Sequence, residues 1–222
     1  MSIVIYVWWT VGLRQKGGLD MRVTKAQAEQ NRAHIVATAG RLFRERGYDG
    51  VGVADLMAEA GFTHGGFYKH FHSKAALMAE ASANGLSRTA SLTEDLDIAE
   101  FVESYVSREH RDGRGEGCTI AALSGDAARQ PEGIKTEFAA GIESLTAALQ
   151  AGGDTAADTD QRTARATVID VLAHAVGALM LSRACPDRSP LADEILDVCR
   201  EAILASLTHG DGSRPAAKGL VN

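Results

Sequence analysis

The chain has 222 residues, of which 45% are hydrophobic and 23% charged, so it is neither a disordered nor a fibrous sequence. Its three cysteines are odd in number and widely spaced, which argues against a disulfide framework or a zinc site and favours the reducing cytoplasm. The net charge of −6 is uneven: residues 21–74 contain 8 Lys or Arg against 5 Asp or Glu, whereas residues 75–222 contain 13 against 23. A basic head on an acidic body indicates nucleic-acid binding by the head, although chance clustering gives the same counts.

The first twenty residues differ in character from the rest. Their apolar run, Ile3 to Leu13, is shorter than the roughly 20 residues that span a bilayer, and it lacks the basic leader and cleavage site of a signal peptide. One hypothesis is that the natural protein begins at Met21 and that residues 1–20 are an upstream extension. The alternative is an apolar arm that packs on the body. Neither reading places the protein in a membrane.

Apolar residues at helical spacing predict the first two helices of the head. The first covers about residues 26–46, from the spacing of Ile35, Ala39, Leu42 and Phe43. Gly47 is expected to end it, as glycine commonly ends helices. A second, short helix covers about residues 53–60, turns Val53, Leu56 and Met57 inward, and ends at Gly61.

A third helix is predicted from His64 to about Phe71 with Thr63 as its cap, and a fourth begins at Lys74 with Ser73 as its cap. Phe67 and Phe71 are four residues apart and therefore share one face. The opposite face carries Gly65 and Lys69, flanked by Tyr68 and His72. That face has little apolar bulk to bury, which suits insertion into the DNA major groove.

The body is predicted to be helical throughout, because no stretch alternates apolar and polar residues as strands do. A helix over residues 98–109 precedes a polar, glycine-rich break at 111–117 and a short helix at 118–130. A helix over about 134–149 with Pro131 at its start, a loop at 152–160 and long helices over 161–184 and 190–207 follow. The tail after His209 is expected to be disordered.

The head resembles the tetracycline-repressor (TetR/AcrR) family of bacterial transcriptional regulators. The resemblance rests on Gly47-Tyr48, Val53-Ala-Asp-Leu-Met-Ala58, Ala60-Gly61, Gly66-Phe-Tyr-Lys-His-Phe-His-Ser-Lys74 and Leu77. It implies an all-α fold with an N-terminal three-helix helix-turn-helix DNA-binding domain over residues 21–91 and its motif at about 54–73. A C-terminal helical ligand-binding and dimerisation domain would cover residues 92–209, before the tail at 210–222.

The resemblance also implies a function. Family members are usually repressors that a small-molecule effector releases from a palindromic double-stranded DNA operator, without a cofactor or an enzymatic activity. An activator remains an alternative. So do a helical enzyme, although no catalytic motif is visible, and a sequence-independent DNA binder, which the acidic net charge disfavours.

The resemblance, carried over position by position, predicts a set of DNA-contacting residues: Thr63, His64, Gly65, Gly66, Tyr68, Lys69, His70, His72 and Lys74. Tyr68 and Lys74 would contact phosphates, the latter at a helix N-terminus that favours anions. Tyr68 could instead be a packing aromatic, and His70, His72 and Lys74 could be solvated side chains. No metal is expected at the neighbouring histidines, because no Cys or acidic partner stands at ligand spacing.

Two features depart from the family pattern. Gly52 stands where a Thr or Ser usually caps the second helix, and glycine is the weaker cap. The pair Gly65-Gly66 lowers the intrinsic stability of the third helix by about 1 kcal/mol for each glycine. We therefore expect a helix that is held in place by Phe67 and Phe71 and that firms up on DNA.

Two body residues are candidate sites. Cys118 follows Gly117 at a predicted helix start, an environment that can make a thiol reactive, so it is either a redox or electrophile sensor or, by default, a small buried core residue. His174 is expected to be a satisfied core histidine rather than a ligand contact.

The apolar stripes of helices 161–184 and 190–207 are wider than one body can bury. They predict a homodimer through a four-helix bundle, which would place the two third helices about 34–36 Å apart on DNA.

Overall fold

The structure, a computed structural model, describes residues 24–152 and 161–208. These residues form helices and contain no strand, as the all-α prediction requires. The helices are α1 (Lys25–Arg46), α2 (Val53–Glu59), a 3-10 helix (His64–Lys69), α3 (Lys74–Thr93), α4 (Ile98–Tyr105), α5 (Arg108–Asp112), α6 (Thr119–Ala127), α7 (Glu132–Gly152), α8 (Gln161–Ala184) and α9 (Pro190–Thr208). The predictions for residues 1–20, for most of the loop at 152–160 and for the tail lie outside the described residues.

Two glycines with positive φ shape the head. Gly47 has φ 73° and donates its N–H to the Phe43 carbonyl at 2.8 Å, which ends α1. Gly61 has φ 78°, and the N–H groups of Gly61 and Phe62 reach back to the carbonyls of Ala58 and Met57. Such paired bonds close a helix and turn the chain sharply. Both predicted stop positions are confirmed.

The third predicted helix differs from the expectation. It is a 3-10 helix that ends at Lys69 rather than an α-helix that reaches Phe71, and the Thr63 side chain makes no capping hydrogen bond. Bonds such as that from the Gly66 N–H to the Thr63 carbonyl, at 2.9 Å, span three residues. The adjacent glycines weaken α-helical preference here, so the tighter form is adopted over this short length. Ser73 does cap α3, accepting the Ala76 N–H at 3.1 Å.

In the body, α3 packs most extensively on α7, and α8 packs on α9. A hydrophobic core runs continuously from the head through these helices. The long helix predicted over residues 98–109 is wrong, because the chain breaks at Val106 (ψ 60°) and restarts with Ser107, which caps α5 by accepting the His110 N–H at 3.1 Å.

The burial of Arg111 was not predicted, and the prediction for His174 is wrong. Arg111, placed in a polar break by its neighbours in sequence, is 1% exposed and donates to Ser182 Oγ at 2.9 Å and to Asp112 at 2.6 Å. His174 is exposed on α8 rather than in the core.

By length and composition, α8 is the one helix in the described parts of the chain that could cross a membrane. It buries Val171, Leu172 and Leu179 against its neighbours. A packed helix of a soluble protein passes the same test.

Candidate nucleic-acid interface

The 3-10 helix is anchored by the two phenylalanines that the sequence singled out. Phe67 and Phe71 are 1% and 2% exposed, with ring centroids 5.6 Å apart, and they join Leu56 and Met57 in the core. Tyr68, between them, is 66% exposed. The helix therefore has one apolar side fixed to the head and one side free to meet a partner.

The predicted DNA-contacting residues divide by exposure. Six are exposed: Thr63, His64, Gly65, Tyr68, Lys69 and His72. Gly66, His70 and Lys74 are half-buried. The ring of His70 lies 6.4 and 6.5 Å, centroid to centroid, from Phe71 and Phe62, so His70 packs partly against aromatic rings rather than being the fully solvated side chain of the alternative reading. The six exposed residues all lie between positions 63 and 72, on the 3-10 helix and the residues next to it.

Lys74 stands at the start of α3, as predicted, but it is not simply solvated. Its Nζ donates to the Tyr48 carbonyl at 2.6 Å. The Tyr48 N–H in turn donates to Asp126 Oδ2 of α6 at 3.1 Å, and the Tyr48 hydroxyl bonds to Ser82 Oγ at 2.6 Å. The ammonium is thus held near the N-terminus of α3 by a fixed backbone partner, which leaves two of its donors for an anion.

Arg32 of α1 is a positioning residue that the sequence did not reveal. Its guanidinium donates to the His70 carbonyl and to the Glu80 carboxylate and lies 4.2 Å from the centroid of the Phe71 ring. The end of the 3-10 helix is therefore tied to both α1 and α3. These partners are 38 and 48 residues away, so no local sequence signal marks the contact.

The glycine pair leaves space on the exposed side. A Cβ on Gly65 would meet nothing within 4 Å, and one on Gly66 would meet Thr63 Oγ1 at 3.6 Å and Met57 Cε at 3.7 Å. Neither distance is a clash. The free protein therefore does not require glycine at these two positions for reasons of space.

The body contains a cavity of about 510 Å³ between the end of α3, α4 and the segment that joins α5 to α6. Phe101, Tyr105, His110 and Cys118 line it. Cys118 precedes the first residue of α6, as predicted, and is only 3% exposed. Among the described residues, no group of three or more His, Cys, Asp or Glu could hold a metal ion.

Two contacts connect the segment between α5 and α6, and α6 itself, to the head. The Arg44 guanidinium of α1 is buried and donates to the Gly115 carbonyl at 2.8 and 2.6 Å; burial lowers its pKa. Asp126 of α6 accepts from Tyr48, as described above, and would lie 2.7 Å from a Cβ on Gly47. Only a glycine at position 47 lets this carboxylate come so close. The head is thus hydrogen-bonded to the body at two places, just before the start of α6 and near its end.

Comparison with known proteins agrees with this architecture. The profile described as "Bacterial regulatory proteins, tetR family" matches residues 35–81. The HTH-type transcriptional repressor DhaR of Mycobacterium sp. (strain GP1) is 28% identical over 185 residues, which cover 79% of this chain and 93% of DhaR. The HTH-type transcriptional regulator TtgR of Pseudomonas putida is 41% identical over 58 residues, 26% of this chain and 28% of TtgR.

Solved structures share the fold. The reduced form of NemR from E. coli superposes with a TM-score of 0.64 at 19% identity, covering 78% of this chain and 95% of NemR. A TetR transcriptional regulator from Chloroflexus aurantiacus gives a TM-score of 0.59 at 24% identity, covering 82% and 96%. These structures therefore share the arrangement of both the head and the body.

Proposed function

Because this chain belongs to the TetR family of bacterial transcriptional regulators, we propose that it is a repressor that leaves a palindromic DNA operator when a small molecule binds its body. The head, residues 21–91, reads the operator, and residues 92–209 bind the effector and dimerise. Such regulators work in the cytoplasm, where their DNA is.

The observation that carries the proposal is the 3-10 helix with its buried Phe67 and Phe71 and its exposed opposite side. We infer that Thr63, His64, Gly65, Tyr68 and Lys69 approach base edges and phosphates there, with Gly66, His70 and His72 at the margin. Lys74 supplies a phosphate contact beside the N-terminus of α3, where backbone N–H groups and the helix dipole favour an anion.

Footprinting on the DNA upstream of the protein's own gene tests DNA reading. We expect a protected palindrome, weaker protection with Tyr68→Ala, and unchanged protection with Ser144→Ala, an exposed change on α7. Uniform protection with no preferred site would contradict operator recognition and support a sequence-independent binder. Transcription from the same region, measured with and without the protein, distinguishes a repressor from an activator.

The dimer is proposed from apolar side chains that one protomer leaves in water. On α8, Ile169 and Leu181 are 46% and 60% exposed, and on α9 Leu191 and Val198 are 52% and 58% exposed. Gly177 of α8 has open space around its Cβ position, which allows a partner helix to approach closely. Two copies of this α8–α9 surface would form a four-helix bundle.

Sedimentation at micromolar concentration tests the dimer. We expect the protein to sediment as a dimer and Val198→Glu as a monomer. Ile142→Glu is the control, because it replaces another partly exposed apolar side chain (38% exposed) by the same charged one, on α7 rather than α9. It should remain dimeric. A monomeric parent protein would remove the geometric basis for reading a palindrome.

Effector response is proposed to pass through the segment 115–127. The cavity wall includes Glu116, Gly117 and Cys118, whereas Gly115 and Asp126 hold the head through Arg44 and Tyr48. A ligand that changes the preferred position of this segment would change the position of the head. The change requires a ligand with different affinities for the two arrangements.

A second candidate is electrophile or redox sensing by Cys118. Its place in the cavity wall and at the N-terminus of α6 supports it, and its burial disfavours it. Treatment with peroxide or an electrophile, followed by operator-binding measurements, is the test. Unchanged operator affinity with Cys118 verified as modified would reject the sensor.

A further inference from the structure

The cavity beside α4 holds one buried polar atom that the fold does not use. Tyr105 is 5% exposed, and its hydroxyl makes no hydrogen bond to a nitrogen or oxygen atom of the described residues; the Cys118 thiol, a weak acceptor, is the side chain beside it. Leaving a buried donor unpaired costs about 1–3 kcal/mol, so native proteins rarely do it without a reason. The Tyr105 ring itself is held firmly, with centroids 4.9 Å from Phe101 and 4.5 Å from His110.

The neighbours of this hydroxyl do not need it as a partner. His110 Nδ1 donates to the Tyr105 carbonyl at 2.8 Å, and His110 Nε2 accepts the Cys118 N–H at 3.0 Å, so both ring nitrogens are occupied. Burial lowers the pKa of His110, which is therefore neutral at pH 7. Burial also raises the pKa of Tyr105 well above its usual value, with Cys118 adding to the effect. The phenol keeps its proton and remains a hydrogen-bond donor.

The charges around the cavity exclude one ligand class. Glu103 and Glu109 are exposed at its rim, and Glu116 is paired with Arg88 at 2.8 Å. No Lys or Arg is among the described residues that line it. Arg183 lies behind Gly117 and His110, but its guanidinium already donates to the Arg111 and His110 carbonyls, so an anion entering past these carboxylates would meet only a cation that is occupied and outside the lining. The deeper wall, with Phe101, Tyr105 and Cys118, is uncharged and mainly apolar.

We infer that this cavity binds an uncharged, largely apolar small molecule through one oxygen acceptor, such as a ketone carbonyl, that takes a hydrogen bond from the Tyr105 hydroxyl. Its volume of about 510 Å³ lies within the range of about 300–1,000 Å³ that small-molecule sites occupy. The inference rests on the proposed role of the body as the effector-binding domain. It adds the chemical class of the ligand and the residue that recognises it.

The test uses four diphenyl compounds that differ at one carbon: benzophenone with a carbonyl, diphenylmethane with none, diphenylacetate with an anion and benzhydrylamine with a cation. Binding to the full chain without DNA is measured by calorimetry, for the parent and for Tyr105→Phe. The parent is expected to bind benzophenone about threefold to tenfold more tightly than diphenylmethane, from the gain of one hydrogen bond. Tyr105→Phe should abolish that preference while binding diphenylmethane unchanged. Its melting temperature should equal or exceed the parent's, because an unpaired hydroxyl is removed.

Three results would overturn the inference: equal binding of benzophenone and diphenylmethane, a preference that persists in Tyr105→Phe, or tightest binding of diphenylacetate or benzhydrylamine. Operator affinity of the benzophenone-saturated protein is a separate measurement. Binding through Tyr105 with no change at the operator leaves the ligand class standing and contradicts effector release. If another compound releases the protein from the operator and carbonyl binding does not depend on Tyr105, effector release stands and the proposed ligand class is contradicted.

Discussion

Replacing each glycine of the 3-10 helix by alanine separates helix stability from DNA contact. Gly65 and Gly66 are adjacent, and neither is among the glycines with positive φ. A methyl at position 66 would touch Met57 and Thr63 of the protein, whereas a methyl at position 65 would project into open space beside the exposed face. Both substitutions therefore fit the free protein, and they differ in what the new methyl group faces.

The expected gain in stability follows from the unfolded chain. Alanine at a compatible position stabilises by about 0.4–1 kcal/mol, since it has fewer unfolded conformations than glycine. For a chain of this size, each kcal/mol raises the melting temperature by about 2–4 °C. We expect Gly66→Ala to raise the melting temperature by about 1–4 °C and to leave operator affinity equal or higher, because the helix is better organised before binding. Gly65→Ala should give the same stability and a weaker complex, because its methyl stands where the DNA backbone approaches.

Thermal unfolding followed by circular dichroism, and operator affinity from fluorescence anisotropy at one fixed salt concentration, measure the two effects. Gly133→Ala at the start of α7 is the matched control, since a Cβ there also meets nothing within 4 Å and the site lies outside the contacts that join α6, Tyr48 and Lys74. It should raise stability without changing operator affinity. A fall in operator affinity for Gly66→Ala at unchanged or higher stability would refute the reasoning and show that the backbone at position 66 itself approaches DNA.

Three other predictions concern single contacts. Lys74→Gln should weaken operator binding and flatten the slope of log affinity against log salt by about 0.9 for each protomer, measured by anisotropy across a salt series; an unchanged slope would mean that Lys74 serves only the Tyr48 carbonyl. Arg44→Gln should cost about 1–3 kcal/mol in urea unfolding, because the Gly115 carbonyl loses a charged donor, and no loss would deny that link a structural role. Burial lowers the pKa of His110 in the folded protein, so the contribution of its neutral ring to folding stability is present above about pH 6.5 and declines as pH falls below it. The melting temperatures at pH 7.5 and pH 5.5 should therefore differ less for His110→Gln than for the parent protein. An equal difference in the two proteins would contradict this.

The parts of the head that were predicted correctly depend on local rules. The apolar spacing in α1 and the two glycines that end α1 and α2 act within one or two turns of helix, so the sequence alone reveals them. The same holds for Ser73 and for the pairing of Phe67 with Phe71. The form of the third helix is a balance between weak intrinsic preference and packing, and a pattern of residues does not resolve that balance.

The errors in the body share a different cause. Arg111 is a charged residue at the start of a glycine-rich break, and its burial depends on Ser182, 71 residues away in the chain. A buried charge must be paired and hydrogen-bonded, and a single sequence gives no sign of partners so distant. His174 was assigned to the core because apolar residues surround it in sequence, yet the apolar face of α8 is wide enough to include positions that one protomer leaves exposed. The sequence predicted that this apolar face is wider than one protomer can bury, but not which residues lie on its exposed part.

The contacts of α6 indicate how the proposed effector cavity would act on Lys74, the proposed phosphate contact. At its start α6 is continuous with Cys118 in the cavity wall, and near its end Asp126 accepts the Tyr48 N–H at 3.1 Å. The Tyr48 carbonyl in turn accepts Lys74 Nζ at 2.6 Å, so two hydrogen bonds on one peptide segment join α6 to Lys74. Packed helices shift between discrete arrangements rather than deform continuously. A displacement of α6 therefore either carries Tyr48 and Lys74 with it or breaks a hydrogen bond at Tyr48, and each outcome would change how the proposed phosphate contact of Lys74 fits the proposed operator.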